Sequence, residues 1–349
     1  MLENLIKQKA QALGASLCGI APARLPQEDL DIQAYQDWLA QNMHGSMGYM
    51  KTQSQIRQDI TYWYPQAQSV ILCGFNYPSH SFGATPQDCN TGKFARYALG
   101  LDYHKVLRKK LKQLLVSIQA ERPEIHGKIF LDTSPILERR YARYAGIGWS
   151  GKNTMMISSK IGSYFFLGGL ALDISLSYDE PVPDHCGTCR RCLTACPTKA
   201  FPEPYVLNAS RCIAYLTIEH RGPIPEPLRD KIGSWVFGCD VCQEVCPWNR
   251  FSFSSALPEM APQIQPEIPL QELAEVNEEA FQETFKKTPV ERTGSTGLLR
   301  NSLLAMGNSG NPEHIPTLET YCQNPDPMLR EQAEWSLKKI EARKSKIKA

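Results

Sequence analysis

The chain has 349 residues, of which 42% are apolar, so it can bury sizeable cores and form two or three domains. Its formal net charge of +2 excludes a global polycation that binds nucleic acid through overall charge. No apolar run is long enough to span a bilayer, and the polar, amphipathic first segment predicts a reducing, cytoplasmic location.

The first 180 residues alternate predicted helices with apolar runs that are typical of strands. The predicted elements are a helix closed by Gly14, strands over 16–21 and 69–77, a helix over 103–119, and a strand over 128–132. Residues 161–174 are predicted as one or two buried strands with a glycine-rich turn. This alternation favours an α/β (α+β) domain over residues 1–180.

The predicted α/β domain contains no nucleotide-phosphate loop. The glycines within 148–153 are not at the spacing that places backbone amides around a pyrophosphate. The triplet 102–104 (DYH) superficially matches the opening of a motif that ligates cobalt through histidine. However, Leu107 stands where that motif has glycine. We therefore interpret the triplet as the start of a helix.

Eight of the twelve cysteines fall between Cys186 and Cys246, in an iron–sulfur spacing. The run CGTCRRCLTACP is the bacterial ferredoxin pattern, in which three thiolates bind one cluster and the fourth binds the other. In the second half, Val236 stands where a cysteine is expected, and Cys212 is the nearby replacement. The spacing predicts two 4Fe-4S clusters. The first is bound by Cys186, Cys189, Cys192 and Cys246, and the second by Cys196, Cys212, Cys239 and Cys242.

Two other uses of these cysteines are less well supported. A zinc ribbon needs only four ligands, whereas this region has eight cysteines and two Cys-Pro pairs. A disulfide framework is typical of small secreted chains, which this one does not resemble. The other four cysteines are predicted to be buried or incidental thiols.

The segment after residue 180 is predicted to be a cluster domain over 181–250, followed by a third region over 251–349. Residues 251–270 are rich in proline and predict a linker or an extended segment. Three amphipathic helices then follow in an order that resembles a HEAT-type repeat, with ordinary packed helices as the alternative. One such unit cannot bury its own apolar face, so it must pack on the rest of the protein. The chain ends in a basic tail.

Clusters supply electrons to another centre, so the α/β domain is expected to hold a second cofactor. Several segments together resemble the epoxyqueuosine reductases, cobalamin-dependent iron–sulfur enzymes of transfer-RNA modification. The segments that carry this resemblance are RYALGLDYH at 96–104, DTSPILERRYARYAGIGWSGKNT at 132–154, the CGTCRRCLTACPTKA run, RCIAYLTIEHRG at 211–222 and FGCDVCQEVCPWN at 237–249.

The resemblance implies reduction of an epoxide to an alkene on the wobble base of tRNA, with loss of water. Two clusters would pass electrons one at a time to cobalamin, with cob(II)alamin as its resting state. Asp132 would be the acid that protonates the opening epoxide, and its pKa is then expected to be raised by burial. From the residues alone, Asp132 is better explained as a turn or N-cap residue, and the resemblance reverses that order.

Other roles follow from the resemblance as expectations. The residues expected to approach the cobalamin or the substrate are Arg57, Tyr103, His104, Ile157, Ser158 and Asp240. The residues expected to contact RNA are Arg211, His220, Arg221, Arg300 and Arg330, together with the basic tail. The expected partners are tRNA and a soluble electron donor, and the expected state is a monomer away from membranes. The alternative function is that of a reductive dehalogenase-like enzyme that acts on a small molecule.

Overall fold

The computed structural model describes residues 2–26, 29–77, 89–253, 255 and 257–348, with the backbone alone over 346–348. The strands are β1 (Leu17–Pro22), β2 (Ser69–Asn76), β3 (Thr91–Phe94), β4 (Gly127–Leu131), β5 (Trp149–Ser150), β6 (Met156–Ile157), β7 (Phe165–Leu172), β8 (Trp235–Phe237) and β9 (Glu267–Pro269). The helices up to the cluster region are α1 (Leu2–Ala12), α2 (Leu30–Ala40), α3 (Ser54–Gln58), α4 (Tyr103–Glu121) and α5 (Glu138–Tyr144). The later helices are α6 (Arg191–Ala195), α7 (Ile213–Ile218), α8 (Glu226–Ile232), α9 (Val241–Glu244), α10 (Leu270–Glu275), α11 (Glu278–Phe285), α12 (Gly294–Ser309), α13 (Ile315–Tyr321) and α14 (Pro327–Lys348).

The main sheet has the strand order β1-β2-β7-β4, and each neighbouring pair is antiparallel. This pairing makes the domain α+β, the second of the two expected classes. Strand β2 is buried along its whole length, so its alternating side chains enter two cores. Ile71, Cys73 and Phe75 pack towards α1 and α4, whereas Val70 and Leu72 pack towards α5.

The prediction of a glycine-rich turn within residues 161–174 is wrong. The segment forms one strand, β7, and Gly168 and Gly169 lie inside it. A Cβ atom on Gly169 would lie 2.2 Å from the carbonyl oxygen of Ile71 and 2.5 Å from the ring of Phe130. Glycine is therefore needed for the close approach of neighbouring strands and not for a turn.

A second sheet has the order β8-β3-β9 and draws one strand from each of the three predicted segments of the chain. Strand β3 pairs in parallel with β8 and antiparallel with β9. Phe94 and Phe237 from this sheet share a core with apolar side chains of α10 to α14. The sheet therefore joins the sulfur-rich region to the rest of the chain.

The three predicted C-terminal helices are present as α12, α13 and α14, and α12 packs on β8, α7 and α8. Their HEAT-type character stays a prediction. The preceding proline-rich segment packs on the main domain, where Phe253 O accepts a hydrogen bond from Asn76 Nδ2 (2.8 Å) and Met260 is buried. The basic tail continues α14 as helical backbone to Lys348.

Candidate active site

The best-defined group of polar side chains lies where β4 ends and α4 begins. The Nε2 of His104 lies 2.9 Å from Asp132 Oδ2, and its Nδ1 lies 2.7 Å from Asp102 Oδ1. Asp102 is also the N-cap of α4, because its carboxylate accepts the backbone N–H of His104. The cap therefore holds the imidazole between two carboxylates.

Electrostatics place the dissociable proton on the imidazole. Burial lowers the pKa of His104, but its hydrogen bonds to Asp102 and Asp132 outweigh burial and raise the pKa to about 9. Burial acts to raise the pKa of Asp132, but the hydrogen bond and positive charge of His104 lower it below its usual value. The expected rise in the Asp132 pKa is therefore wrong, because the sequence did not reveal that His104 is its partner.

An aromatic stack supports one side of this site. The ring of Tyr103 lies between His104 and Phe166, with centroid distances of 4.1 Å and 4.0 Å. Tyr97 packs edge-on against Tyr103 and also contacts Phe237 of β8. Burial raises the pKa of the Tyr97 hydroxyl, and the charges of Asp132 and Asp240 raise it further. Tyr97 is therefore close enough to both Asp132 and Asp240, the residue before α9, for their charges to act on its hydroxyl.

The eight clustered cysteines form two neighbouring sets. A cavity of about 60 Å³ is lined by all four thiols expected to bind the first cluster, Cys186, Cys189, Cys192 and Cys246. In the second set, burial raises the pKa of Cys212, and the charge of Cys196 raises it further. Burial likewise raises the pKa of Cys239, with further contributions from Cys242 and Cys212. Burial also raises the pKa of Cys242, and the charge of Cys192, from the first set, contributes to the rise, so the two sets adjoin, and their division into two ligand groups stays a prediction.

The spacing of these thiols bears on what they can bind. None of the twelve cysteines forms a disulfide, so a disulfide framework is excluded. Across the described parts of the chain, no three His, Cys, Asp or Glu side chains converge closely enough to hold a single metal ion. In a four-iron cluster each thiolate binds a different iron atom, so the sulfurs lie further apart than the ligands of one ion. The arrangement fits clusters better than zinc.

The expected cofactor residues Arg57 and Asp240 have different surroundings. Arg57 Nη2 donates to Tyr49 O (3.3 Å), while its buried Nε has no hydrogen-bond partner among the residues that the structure describes. Asp240, the residue before α9, is 2% exposed and accepts the backbone N–H of Arg96 (2.8 Å). Burial raises the pKa of Asp240 to about 6, although Arg96 opposes the rise.

Ile157 and Ser158 are also buried, but most of their backbone is already paired. Ile157 pairs with Trp149 in the small sheet formed by β5 and β6. The backbone N–H of Ser158 donates to Gly162 O (2.8 Å), and its carbonyl accepts from Gly162 N (2.9 Å). A ligand would therefore meet the surface of a rigid hairpin in this segment.

Sequence reasoning missed several residues around Asp132. Arg292 makes a bidentate ion pair with Glu219, with Nε–Oε1 at 3.0 Å and Nη2–Oε2 at 3.1 Å. The hydrogen bonds that Arg292 donates to Glu219 raise the pKa of Arg292, and the charge of Asp132 contributes to the rise. Burial raises the pKa of Glu138, which also senses Asp132. No sequence pattern links residues 132, 219 and 292, so only their packing reveals the group.

The expected RNA contacts divide into exposed and internal residues. Arg300 is 1% exposed and donates to the carbonyl oxygens of Leu216, His220 and Gly222, so its prediction as an RNA contact is wrong. The remaining predicted contacts are half-buried or exposed, and each makes at least one hydrogen bond to a backbone carbonyl. They are Arg211, His220, Arg221 and Arg330.

Comparison with known proteins identifies the family. A family model described as epoxyqueuosine reductase QueG, DUF1730 matches residues 57–133, and a 4Fe-4S double cluster binding domain matches residues 185–249. A protein of Escherichia coli named epoxyqueuosine reductase is 39% identical over 350 residues, covering 99% of this chain and 92% of that protein. The chain belongs to the epoxyqueuosine reductase family. A relative in Cellulophaga algicola with the same name is 41% identical over 303 residues, covering 85% of this chain and 96% of that protein.

Solved epoxyqueuosine reductases have the same fold. A crystal structure of one with a tRNA-Tyr epoxyqueuosine-modified stem loop matches with a TM-score of 0.88 and 32% identity, covering 97% of this chain and 90% of that chain. The Streptococcus thermophilus enzyme matches with a TM-score of 0.87 and 30% identity, covering 98% of this chain and 91% of that chain. As an epoxyqueuosine reductase family member, this chain is an oxidoreductase with a mixed helix and sheet fold and a double-cluster domain. Within the part of the chain that the structure describes, no helix could cross a membrane.

Proposed function

We propose that this protein reduces epoxyqueuosine to queuosine at the wobble position of tRNA, with two 4Fe-4S clusters, cobalamin and Asp132 as the proton donor. The observation that carries the proposal is the hydrogen bond between His104 and Asp132, set beside the two groups of cysteines. The Escherichia coli relative that is named for this activity matches this chain over nearly its whole length. One of them was crystallised with the modified stem loop.

The cysteines suit iron because their thiols are otherwise hard to ionise. Burial, together with the charge of neighbouring Cys246, raises the pKa of Cys192 to about 11. Thiolates in such a setting need a bound cation to compensate them, which iron supplies. We assign Cys186, Cys189, Cys192 and Cys246 to one cluster, and Cys196, Cys212, Cys239 and Cys242 to the other.

The residues near Asp132 also suit cobalamin. The buried Nε–H of Arg57 lacks an acceptor, and a corrin carries amide carbonyls that would accept it. We assign Arg57, Tyr103, His104, Ile157, Ser158 and Asp240 to the surroundings of the cofactor. When bound, cobalamin supplies a cobalt centre that takes up single electrons and reduces the epoxide carbon. Asp240 directly follows Cys239, so a cluster bound by Cys239 would lie on the side of the chain that Asp240 would present to the cofactor.

Side chains of the protein would hold and donate the protons that the reaction consumes. Conversion of the epoxide to an alkene consumes two electrons and two protons and releases one water molecule. Asp132 faces the open side of the site, with 54% of its side chain exposed, so it can reach the epoxide oxygen. His104, with a pKa of about 9, holds a proton at neutral pH and passes it to Asp132 through the Nε2–Oδ2 hydrogen bond.

A loop position for the acid has a parallel in the family. A Bacillus subtilis relative is described with the loop of its catalytic aspartate swung out of the active site. In this chain Asp132 likewise lies beyond the last residue of a strand, β4, in a segment that leads to α5. Such a loop can present the acid to the substrate and withdraw it afterwards.

The proposal is tested with anaerobically purified protein, cobalamin, a chemical reductant and an epoxyqueuosine-containing stem loop. The wild type should form queuosine, and Asp132→Asn should lower the rate about 10²–10⁴-fold, because general acid catalysis is lost. The matched control is Asp37→Asn on the exposed face of α2, which should leave the rate unchanged. The visible absorbance of the clusters should be the same in all three proteins. Normal turnover by Asp132→Asn would falsify the assignment of the acid.

A further inference from the structure

The exposed side of α4 carries a run of cations that no part of the proposed mechanism uses. Lys105, Arg108, Lys109 and Lys112 are exposed and lie at i, i+3, i+4 and i+7, which places them on one face of the helix. The opposite face is buried in the main core through Val106, Leu107, Leu111, Leu114 and Ile118. We call the four exposed cations together with Lys287 the α4 basic face.

The α4 basic face is not neutralised by the protein. None of its five side chains makes an ion pair or a side-chain hydrogen bond with the residues that the structure describes, whereas Lys110, beside it, pairs with Glu259 at 3.6 Å. Residues 105 and 109, and likewise 108 and 112, are like charges four positions apart, which destabilises a helix. Lys105 also lies in the first turn, where the helix dipole disfavours a cation. A bound polyanion would offset both costs.

The position of the α4 basic face links it to the active site. Lys105 directly follows His104, whose imidazole contacts Asp132. Lys287 is exposed and adjoins the same end of α4, because its carbonyl accepts the backbone N–H of Asp102 at 2.6 Å. With a rise of 1.5 Å per residue, the four cations on the helix extend about 10 Å away from the site. A strand that placed one base beside Asp132 would run along these side chains.

We infer that the α4 basic face binds the sugar–phosphate backbone of the RNA stem loop whose modified base enters the active site. This inference rests on the proposed function and identifies where that substrate is held. The chemistry is a row of unpaired cations against phosphates, which gives affinity without reading sequence. The local arrangement matters because a net charge of +2 provides no general attraction.

The test compares two triple variants that remove the same charge. K105Q/R108Q/K112Q removes three cations of the α4 basic face, and R24Q/K199Q/K231Q removes three exposed cations from other surfaces. Fluorescence anisotropy with the labelled epoxyqueuosine stem loop is measured over a series of salt concentrations. The first variant should bind about 10–100-fold more weakly at low salt, and its slope of log affinity against log salt should fall by about 2, at roughly 0.7 per phosphate contact. The control should bind within about 2-fold of the wild type.

Turnover and stability measurements separate a lost contact from a damaged protein. The α4 variant should show a raised KM for the stem loop, an unchanged kcat at saturation and an unchanged cluster spectrum. Its melting temperature should equal or exceed that of the wild type, because repulsion within α4 is relieved.

The possible failures are distinguishable. If the α4 variant binds the stem loop with wild-type affinity and salt slope while the wild type turns over, the inference is wrong and the proposed function stands. If the α4 variant binds RNA normally but accepts electrons poorly from an acidic protein donor, this face serves that donor and the inference is also wrong. If the wild type neither binds nor converts the stem loop, the proposed function fails, and this inference fails with it.

Discussion

His104 and Asp132 are 28 residues apart in the chain, yet their side chains meet at 2.9 Å in the active site. The contact forms because the N-cap of α4 and the end of β4 lie at the same edge of the main sheet. In the proposed mechanism this contact would divide the acid function between two residues, since the imidazole carries the proton at neutral pH and the Asp132 carboxylate is exposed.

This division predicts a basic limit to turnover. His104 is protonated below its pKa of about 9, so the rate at saturating stem loop should fall as the pH rises through about 9. Asp102→Asn removes one of the two carboxylates that raise the pKa of His104. The fall in rate should therefore begin at a lower pH. Asparagine still caps α4, which separates the electrostatic effect from a loss of folding. A pH–rate profile tests this, with His126→Gln as the control. If the rate of Asp102→Asn falls at the same pH as that of the wild type, the proton transfer from His104 to Asp132 is contradicted.

The same shift predicts a pH dependence of stability. The folded-state pKa of His104 is raised above its unfolded value near 6.5, so its contribution is fully present below that value. The contribution is lost as the pH rises through about 9. His104→Gln should therefore be destabilising at pH 6 relative to the wild type and less so at pH 10. Thermal melts at the two pH values measure the difference, and an equal effect at both would count against a charged imidazole.

Replacing Cys212 is expected to lower the iron content of the purified protein. If Cys212 completes the second ligand set, Cys212→Ser should reduce the iron and sulfide from about eight to about four per chain after anaerobic purification. Cys322→Ser removes a thiol of the C-terminal helices and should keep the full content. Iron analysis with the visible spectrum gives the answer, and full iron in Cys212→Ser would show that another residue is the ligand.

Replacing Trp149 is expected to change the reduction potential of one of the two proposed clusters. The indole ring of Trp149 is 2% exposed, and its Nε1 has no oxygen or nitrogen acceptor within the described part of the chain. Burial raises the pKa of Cys186, and a hydrogen bond from Trp149 opposes that rise, so the N–H stabilises the thiolate form. Hydrogen bonds to cluster sulfur raise the potential, so Trp149→Phe should lower one of two potentials by roughly tens of millivolts. A potentiometric titration followed by electron paramagnetic resonance would detect this, and two unchanged potentials would exclude the contact.

Replacing Arg300 is expected to lower the stability of the protein and not its RNA binding. The Arg300 guanidinium satisfies three carbonyl oxygens at the contact between α7 and α12. Arg300→Met leaves these acceptors unpaired inside the protein, which should cost about 3–5 kcal/mol. Arg330→Gln removes a half-buried arginine with one carbonyl partner and should cost less than about 1 kcal/mol. Anaerobic thermal melts compare the two, and equal stabilities would contradict the internal role.

The double-cluster region and many of the elements could be predicted from the sequence. The cysteine spacing is local and its chemistry is restrictive, so the sequence alone predicts two 4Fe-4S clusters, and residues 185–249 match a 4Fe-4S double cluster binding domain. The division of the eight cysteines into two ligand sets stays a prediction. The predicted helix over 103–119 is confirmed as Tyr103–Glu121, and the predicted strand over 69–77 as Ser69–Asn76. Local apolar periodicity was sufficient for both.

The site around Asp132 required the tertiary structure. The sequence pointed to Asp132 and Tyr103 only through resemblance. It gave no sign that Glu219 and Arg292 would pair nearby, 73 residues apart. It also placed Arg300 on the surface, although packing buries it completely. Charge alone does not distinguish an arginine that meets solvent from one that satisfies internal carbonyls.

The amino-acid sequence by itself determined where many of the helices and strands lie and predicted how the cysteines divide into two sets, because both depend on spacing along a covalent chain. Only the tertiary structure decided which ionisable groups meet, which carboxyl is ionised, and which arginines are internal. Those properties depend on burial and on charges brought together from distant segments, and a pKa or an ion pair is set by that environment and not by residue type.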